Sequence, residues 1–130
     1  MIMHPFYYEF ELIKPVEIFL KNKGYKVRKE VRIGYCIADL VGFKDKSVVS
    51  VELKLNNWKK ALIQAKNYQL GSDYVYVAFP LQKTFNILNK ARYLLISEGI
   101  GLLSINEKTN KTKIIIKAKK SKKMFGRINL

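Results

Sequence analysis

The sequence predicts an α/β domain, a mixed β-sheet flanked by helices. Three observations predict it. Helical and strand-like hydrophobic periodicities alternate along the 130 residues, turn residues separate them, and 48% hydrophobic with 27% charged residues is a globular composition. The length suits one domain over residues 1–130, with a basic tail from about residue 117.

The first helix spans residues 11–23, where Leu12, Val16, Phe19 and Leu20 recur at helical spacing and Gly24 is a natural stop. Pro15 fits the first turn of a helix starting near Lys14, or kinks a longer one. Residues 25–33 alternate, with Val27, Val31 and Ile33 in phase, and predict a strand turning at Gly34. Residues 35–43 and 48–55 predict two more strands, joined by a hairpin loop over 44–47. Asn56 or Asn57 caps a helix through Tyr68, whose stripe is Trp58, Ala61, Leu62 and Ala65. After the turn Gly71-Ser72-Asp73, residues 74–79 are nearly all apolar, which suits a strand buried on both faces and ended by Pro80. A helix over 84–97 and strands over 101–105 and 113–117 complete the order.

The 25 Lys+Arg residues against 10 Asp+Glu give a net charge of +15. So large an excess attracts polyanions, of which nucleic acid is the common one. The competing reading is a lysine-rich structural protein of a ribonucleoprotein, or a composition set by a hot habitat. Residues 111–130 carry Lys111, Lys113, Lys117, Lys119, Lys120, Lys122, Lys123 and Arg127 and no acid, so the tail is a phosphate-binding arm or a solvated end. Lys59, Lys60 and Lys66, with Tyr68, are further candidates for nucleic-acid contact on the helix before it.

Other classes drop out. No apolar run is long enough to span a bilayer, and the start lacks the pattern of a secretory signal, so a cytoplasmic protein is expected. A lone Cys36 allows no disulfide or cysteine zinc site within one chain, and reads as a small buried hydrophobe. A lone histidine, His4, removes histidine-metal nucleases and histidine triads. No P-loop occurs, and Gly99-Ile100-Gly101 lacks the rest of a dinucleotide fingerprint.

The chemistry concentrates on the hairpin. On the strand over 48–55, Ser50, Glu52 and Lys54 share one face and Val49, Val51, Leu53 and Leu55 the other. Folding about Asp45-Lys46 sets Lys44 opposite Ser47 and, further out, Asp39 opposite Glu52. A slip of one residue would break that register. Facing carboxylates repel, and partial burial raises the cost. Either a proton or a hard divalent cation resolves it. Metal, carboxylates and lysine together suit phosphodiester hydrolysis. The plainer alternative is a salt-bridged polar face in which Lys54 neutralises both acids.

Glu11 is a further candidate, within an acidic cluster that also holds Glu9 and Glu17, either of which could replace it. Glu30 is a weaker one, expected to pair with Arg28 or Arg32. Gln64 and Tyr68 are one helical turn apart and share a face, either at the site or in a surface hydrogen bond.

IADLVGF, a short loop and VVSVELKL together resemble the core of the PD-(D/E)XK nuclease superfamily, with Ala38 in place of the signature proline and Asp39 and Glu52-Leu53-Lys54 at the matching positions. Glu11, opening a helix that ends at Lys-Gly-Tyr, resembles the helical glutamate of many members. Gln64 and Tyr68 resemble the Q-x-x-x-Y feature of a subset that includes RecB-like nucleases. The resemblance covers residues 11–80. It implies a restriction-endonuclease-like fold with core order αβββαβ, and cleavage of DNA, or of RNA, with Mg²⁺ or Mn²⁺, as in repair, recombination or restriction. Asp39, Glu52 and Glu11 would bind metal, and Lys54 would assist the attacking water, with Gln64 beside them. The alternative is a non-catalytic nucleic-acid-binding module on the same scaffold. A homodimer is left open, and no membrane partner is expected.

Overall fold

The computed structural model describes residues 5–126; His4 and Arg127 lie outside the described residues. A 3-10 turn, Glu9–Leu12, leads into α1 (Ile13–Asn22). The order continues β1 (Lys26–Ile33), β2 (Cys36–Lys44), β3 (Ser47–Leu53), α2 (Trp58–Tyr68), β4 (Tyr74–Pro80), α3 (Leu81–Glu98), β5 (Gly101–Ile105) and β6 (Thr112–Ile116). The core order αβββαβ is the expected one.

The six strands form one mixed sheet in sequence order, β1-β2-β3-β4-β5-β6. β1, β2 and β3 are antiparallel neighbours, β3, β4 and β5 are parallel, and β6 returns antiparallel to β5. A parallel neighbour needs a crossover, which is why α2 and α3 fall between β3, β4 and β5. Both faces are covered. Leu12, Val16 and Leu20 pack with Val49, Val51 and Leu53 on one side. Ala61, Ala65 and Tyr68 of α2 and Ile87, Ala91 and Leu95 of α3 pack with Val48, Val75 and Val77 on the other. The alternation of β3 thus feeds two cores at once.

The β2–β3 hairpin has a two-residue turn with Asp45 at φ +55, and pairs Lys44 with Ser47 and Phe43 with Val48 as expected. Asn57 caps α2, its Oδ1 accepting the Lys60 N–H at 3.2 Å. Pro15 lies in the first turn of α1, which settles the choice between turn and kink. Three elements differ from expectation. α3 starts at Leu81, because extended Pro80 stands directly before it and its first three residues are exposed and carry no apolar period. β4 is fully buried only from Val77, with Tyr74 and Tyr76 half-buried.

The third difference is the tail. Residues 117–126 form no helix or strand, yet their backbone is docked. Lys119 N–H donates to Gly99 O at 3.0 Å, Ser121 N–H to Asp73 O at 2.7 Å and Phe125 N–H to Leu70 O at 2.8 Å, and Ala118 is buried. The backbone of residues 117–126 is thus held against the domain, while Lys119, Lys120, Lys122 and Lys123 remain exposed. Among the described residues no helix is long and apolar enough to cross a membrane.

Candidate active site

The site forms where β2 and β3 leave their shared hairpin. The ladder runs from Lys44↔Ser47 to Leu40↔Val51, and Asp39 and Glu52 are the residues just beyond its last pair. Asp39 Oδ2 accepts the Leu53 N–H at 2.8 Å, fixing the aspartate against β3. Glu52 is 3% exposed. Its Oε1 lies 2.5 Å from the Tyr68 hydroxyl, which is also 2.9 Å from Ile37 O. Tyr68 therefore links α2, β2 and β3 at the acid pair. It brings one hydrogen to two acceptors.

The carboxyl groups of Asp39 and Glu52 are within hydrogen-bonding reach of each other. Two carboxylates this close repel unless a proton or a cation lies between them. Burial is the main cause that raises both acids. The Tyr68 hydrogen bond partly offsets it for Glu52, and the charge of Asp39 adds to it, leaving Glu52 raised to about 8. For Asp39 the Leu53 N–H is the chief opposing influence. Burial and the contact with Glu52 also raise the Tyr68 phenol.

Lys54 extends from the end of β3. Its ammonium is 3.8 Å from Glu52 Oε2 and 3.8 Å from Glu9 Oε1, with the side chain 13% exposed. Glu9 Oε2 accepts the Leu55 N–H at 3.2 Å. The helical acid brought to the site is thus Glu9, and the expectation for Glu11 is corrected. Glu11 Oε1 accepts the N–H groups of Tyr7 and Tyr8, both at 2.8 Å, so it caps the turn before α1. Glu17 pairs with Lys21 at 3.2 Å. Glu30 has φ +54 across from Asp39, and the expected pairing with Arg28 or Arg32 is not among the ion pairs of the described residues.

The remaining predicted residues divide. Gln64 lies one helical turn from Tyr68, and its Oε1 is buried without a hydrogen-bond partner. Tyr68 is fully buried, so it supports the acids and cannot contact nucleic acid. Lys59 and Lys60 are exposed at the start of α2, the segment after Lys54, with the Lys59 ammonium 5.7 Å from the centre of the Trp58 ring. Lys66 and Lys123 both pair with Glu98, at 3.5 and 2.8 Å, so neither is a free phosphate ligand. The tail hydrogen-bonds to Gly99, Asp73, Gln69 and Leu70, and among the described residues no hydrogen bond or ion pair joins it to Asp39, Glu52 or Lys54.

Among the described residues no three His, Cys, Asp or Glu side chains converge in a metal-holding group. Two carboxylates are nevertheless a sufficient protein share for Mg²⁺, which keeps several waters and takes substrate oxygens. Buried Glu52 beside half-buried Asp39, two acids that repel unless a proton or cation lies between them, form a donor set that fits such an ion.

No known family model matches the chain, and no curated protein sequence matches it. Among solved structures, an FdxN element excision controlling factor protein from Anabaena variabilis is similar, with a TM-score of 0.57 at 20% identity over 82% of this chain and 97% of that one. SfsA from Pyrococcus furiosus, solved with Ca²⁺, matches with a TM-score of 0.45 at 13% identity over 85% of this chain and 61% of that one. The mixed sheet flanked by helices is thus a fold that this chain shares with the Anabaena protein.

Proposed function

We propose that this chain is a metal-dependent nuclease of PD-(D/E)XK type that hydrolyses phosphodiester bonds in DNA, with RNA as the second candidate. The observation behind this reading is the pair Asp39–Glu52, packed together on neighbouring strands with the Lys54 ammonium 3.8 Å from Glu52. Asp39 and Glu52 would hold Mg²⁺ or Mn²⁺. The ion would supply charge stabilisation at phosphoryl oxygens and a lowered pKa for a bound water. Lys54 hydrogen-bonds the attacking water or a phosphate oxygen. Glu9 holds that ammonium against β3, and Tyr68 orients Glu52. Exposed Lys59 and Lys60 meet the backbone phosphates nearest the site. The net charge of +15, and a structural neighbour named for control of element excision, support a nucleic-acid substrate.

A non-catalytic nucleic-acid-binding module is the second reading. Asp39 Oδ2 and Glu52 Oε1 already have partners in Leu53 and Tyr68, which favours it. A panel of labelled single strands, duplexes, flaps and RNAs with Mg²⁺, Mn²⁺ or EDTA separates the two. The nuclease cuts at least one substrate with metal and none with EDTA. Asp39→Asn, Glu52→Gln and Lys54→Ala each abolish cutting and leave binding within a few-fold. Cutting by Glu52→Gln at the wild-type rate would remove the mechanism.

A further inference from the structure

A second surface feature lies where the β1–β2 turn meets the docked tail. Tyr35 and Phe125 are 93% and 96% exposed, the highest values among the large hydrophobic side chains described. They stand on a cleft of ≈ 490 Å³, lined also by Arg32, Gly34, Leu70 and Gly71. Among the described residues no acidic side chain lines it.

The cleft is built. Gly34 has φ +59, and a Cβ there would come within 2.8 Å of Asn67 Oδ1, so glycine lets the turn close onto α2. Asn67 Nδ2 donates to Ile33 O at 2.6 Å and fastens the turn. Phe125 N–H donates to Leu70 O at 2.8 Å and fastens the other wall. Two exposed aromatic side chains, three glycines and a guanidinium on one cleft suit a planar ring carried on an anionic backbone. The volume is that of a small-ligand site. Tyr35 precedes Asp39 on the same chain segment, by at most about 13 Å at the rise of an extended strand.

We propose that this cleft stacks an unpaired nucleobase of a single-stranded nucleic acid, holding a strand whose backbone continues toward Asp39 and Glu52. The inference deepens the nuclease reading and rests on it for the identity of the ligand as nucleic acid. It makes the preferred substrate one with a single-stranded segment.

The test uses the full chain in EDTA, with a single-stranded oligonucleotide carrying 2-aminopurine and a blunt duplex of the same sequence. Stacking quenches 2-aminopurine fluorescence in the wild-type complex. Tyr35→Ala and Phe125→Ala each weaken single-strand binding about ten-fold and reduce the quench, the scale expected for losing one base–aromatic stack. Tyr35→Trp keeps both, and duplex affinity changes less than two-fold in all variants. Melting temperatures confirm that these surface variants fold. Equal single-strand binding by wild type and both alanine variants overturns the clamp and leaves the nuclease reading intact. A change in self-association instead of single-strand affinity assigns the cleft to a second copy and also overturns it. Single-strand binding that depends on Tyr35 and Phe125, without cleavage in any metal, supports the clamp and sinks the nuclease. No binding of either form overturns both.

Discussion

The chemistry of Glu52 depends on one proton. Folding moves this carboxyl from water into a 3% exposed position beside Asp39, and its pKa rises to about 8. A folded-state value above the unfolded one means that the native protein binds the extra proton. The stabilisation is therefore fully present below the unfolded value of about 4.5 and is lost as pH rises through about 8. In EDTA, wild-type stability should fall between these limits with a slope of up to about 1.4 kcal/mol per pH unit. Glu52→Gln, which is neutral throughout, should flatten the slope in that window and melt above wild type at the alkaline end. Melting curves in EDTA across the window check this. An unchanged slope in the variant would assign the titration to another group. The pair itself was legible in the sequence, because alternation on β3 and a two-residue turn determine which residues face each other. The role of Tyr68 was not, since its burial comes from α2 packing across β4 and across β2 and β3, which are distant from it in the chain.

Among the elements, the entry to α1 shows what periodicity misses. A helical pattern beginning at Glu11 makes that residue the natural site acid. The chain instead forms a 3-10 turn over Glu9–Leu12, which changes the angular step, folds Glu11 back onto Tyr7 and Tyr8, and brings Glu9 to Lys54 and Leu55. The two acids should separate experimentally. Glu11→Ala loses a cap and should cost about 1 kcal/mol of stability with little change in cleavage per folded molecule. Glu9→Ala should cost less stability and reduce cleavage at least ten-fold, because Lys54 loses its second carboxylate. Chemical denaturation and single-turnover cleavage on the same preparations measure both; the reverse assignment would restore Glu11 to the site. The strands and α2 were legible to within a residue or two because each has a strong apolar period. The first turn of α3 was not, because its residues are exposed.

Over the whole molecule, charge and tail act together. A basic run with no acid reads as an arm in the sequence, since the hydrogen bonds that dock its backbone come from residues 69–73 and 99, distant in the chain. Lys123 is engaged by Glu98, whereas Lys119, Lys120 and Lys122 are exposed and form no ion pair among the described residues, which suits them to phosphates. Replacing these three by glutamine should flatten log K against log salt for duplex DNA, by about 0.9 for each phosphate no longer neutralised. An unchanged slope would show that the tail does not touch the backbone, and the substitutions keep β6 and the docked segment, which truncation would remove.

The metal site itself is decided by the melting temperature with increasing Mn²⁺, for wild type and Asp39→Asn. Asparagine can still accept the Leu53 N–H, so the variant removes charge and keeps shape. A cation held by Asp39 and Glu52 favours the folded state by RT ln(1 + [L]/Kd), about 2.7 kcal/mol at a hundredfold excess over Kd. Wild type should therefore show a saturable rise. Asp39→Asn should melt no lower than wild type in EDTA and lose most of the rise. If the variant melts lower in EDTA and still responds fully to Mn²⁺, the acids are a salt-bridged structural group and the metal site is elsewhere or absent.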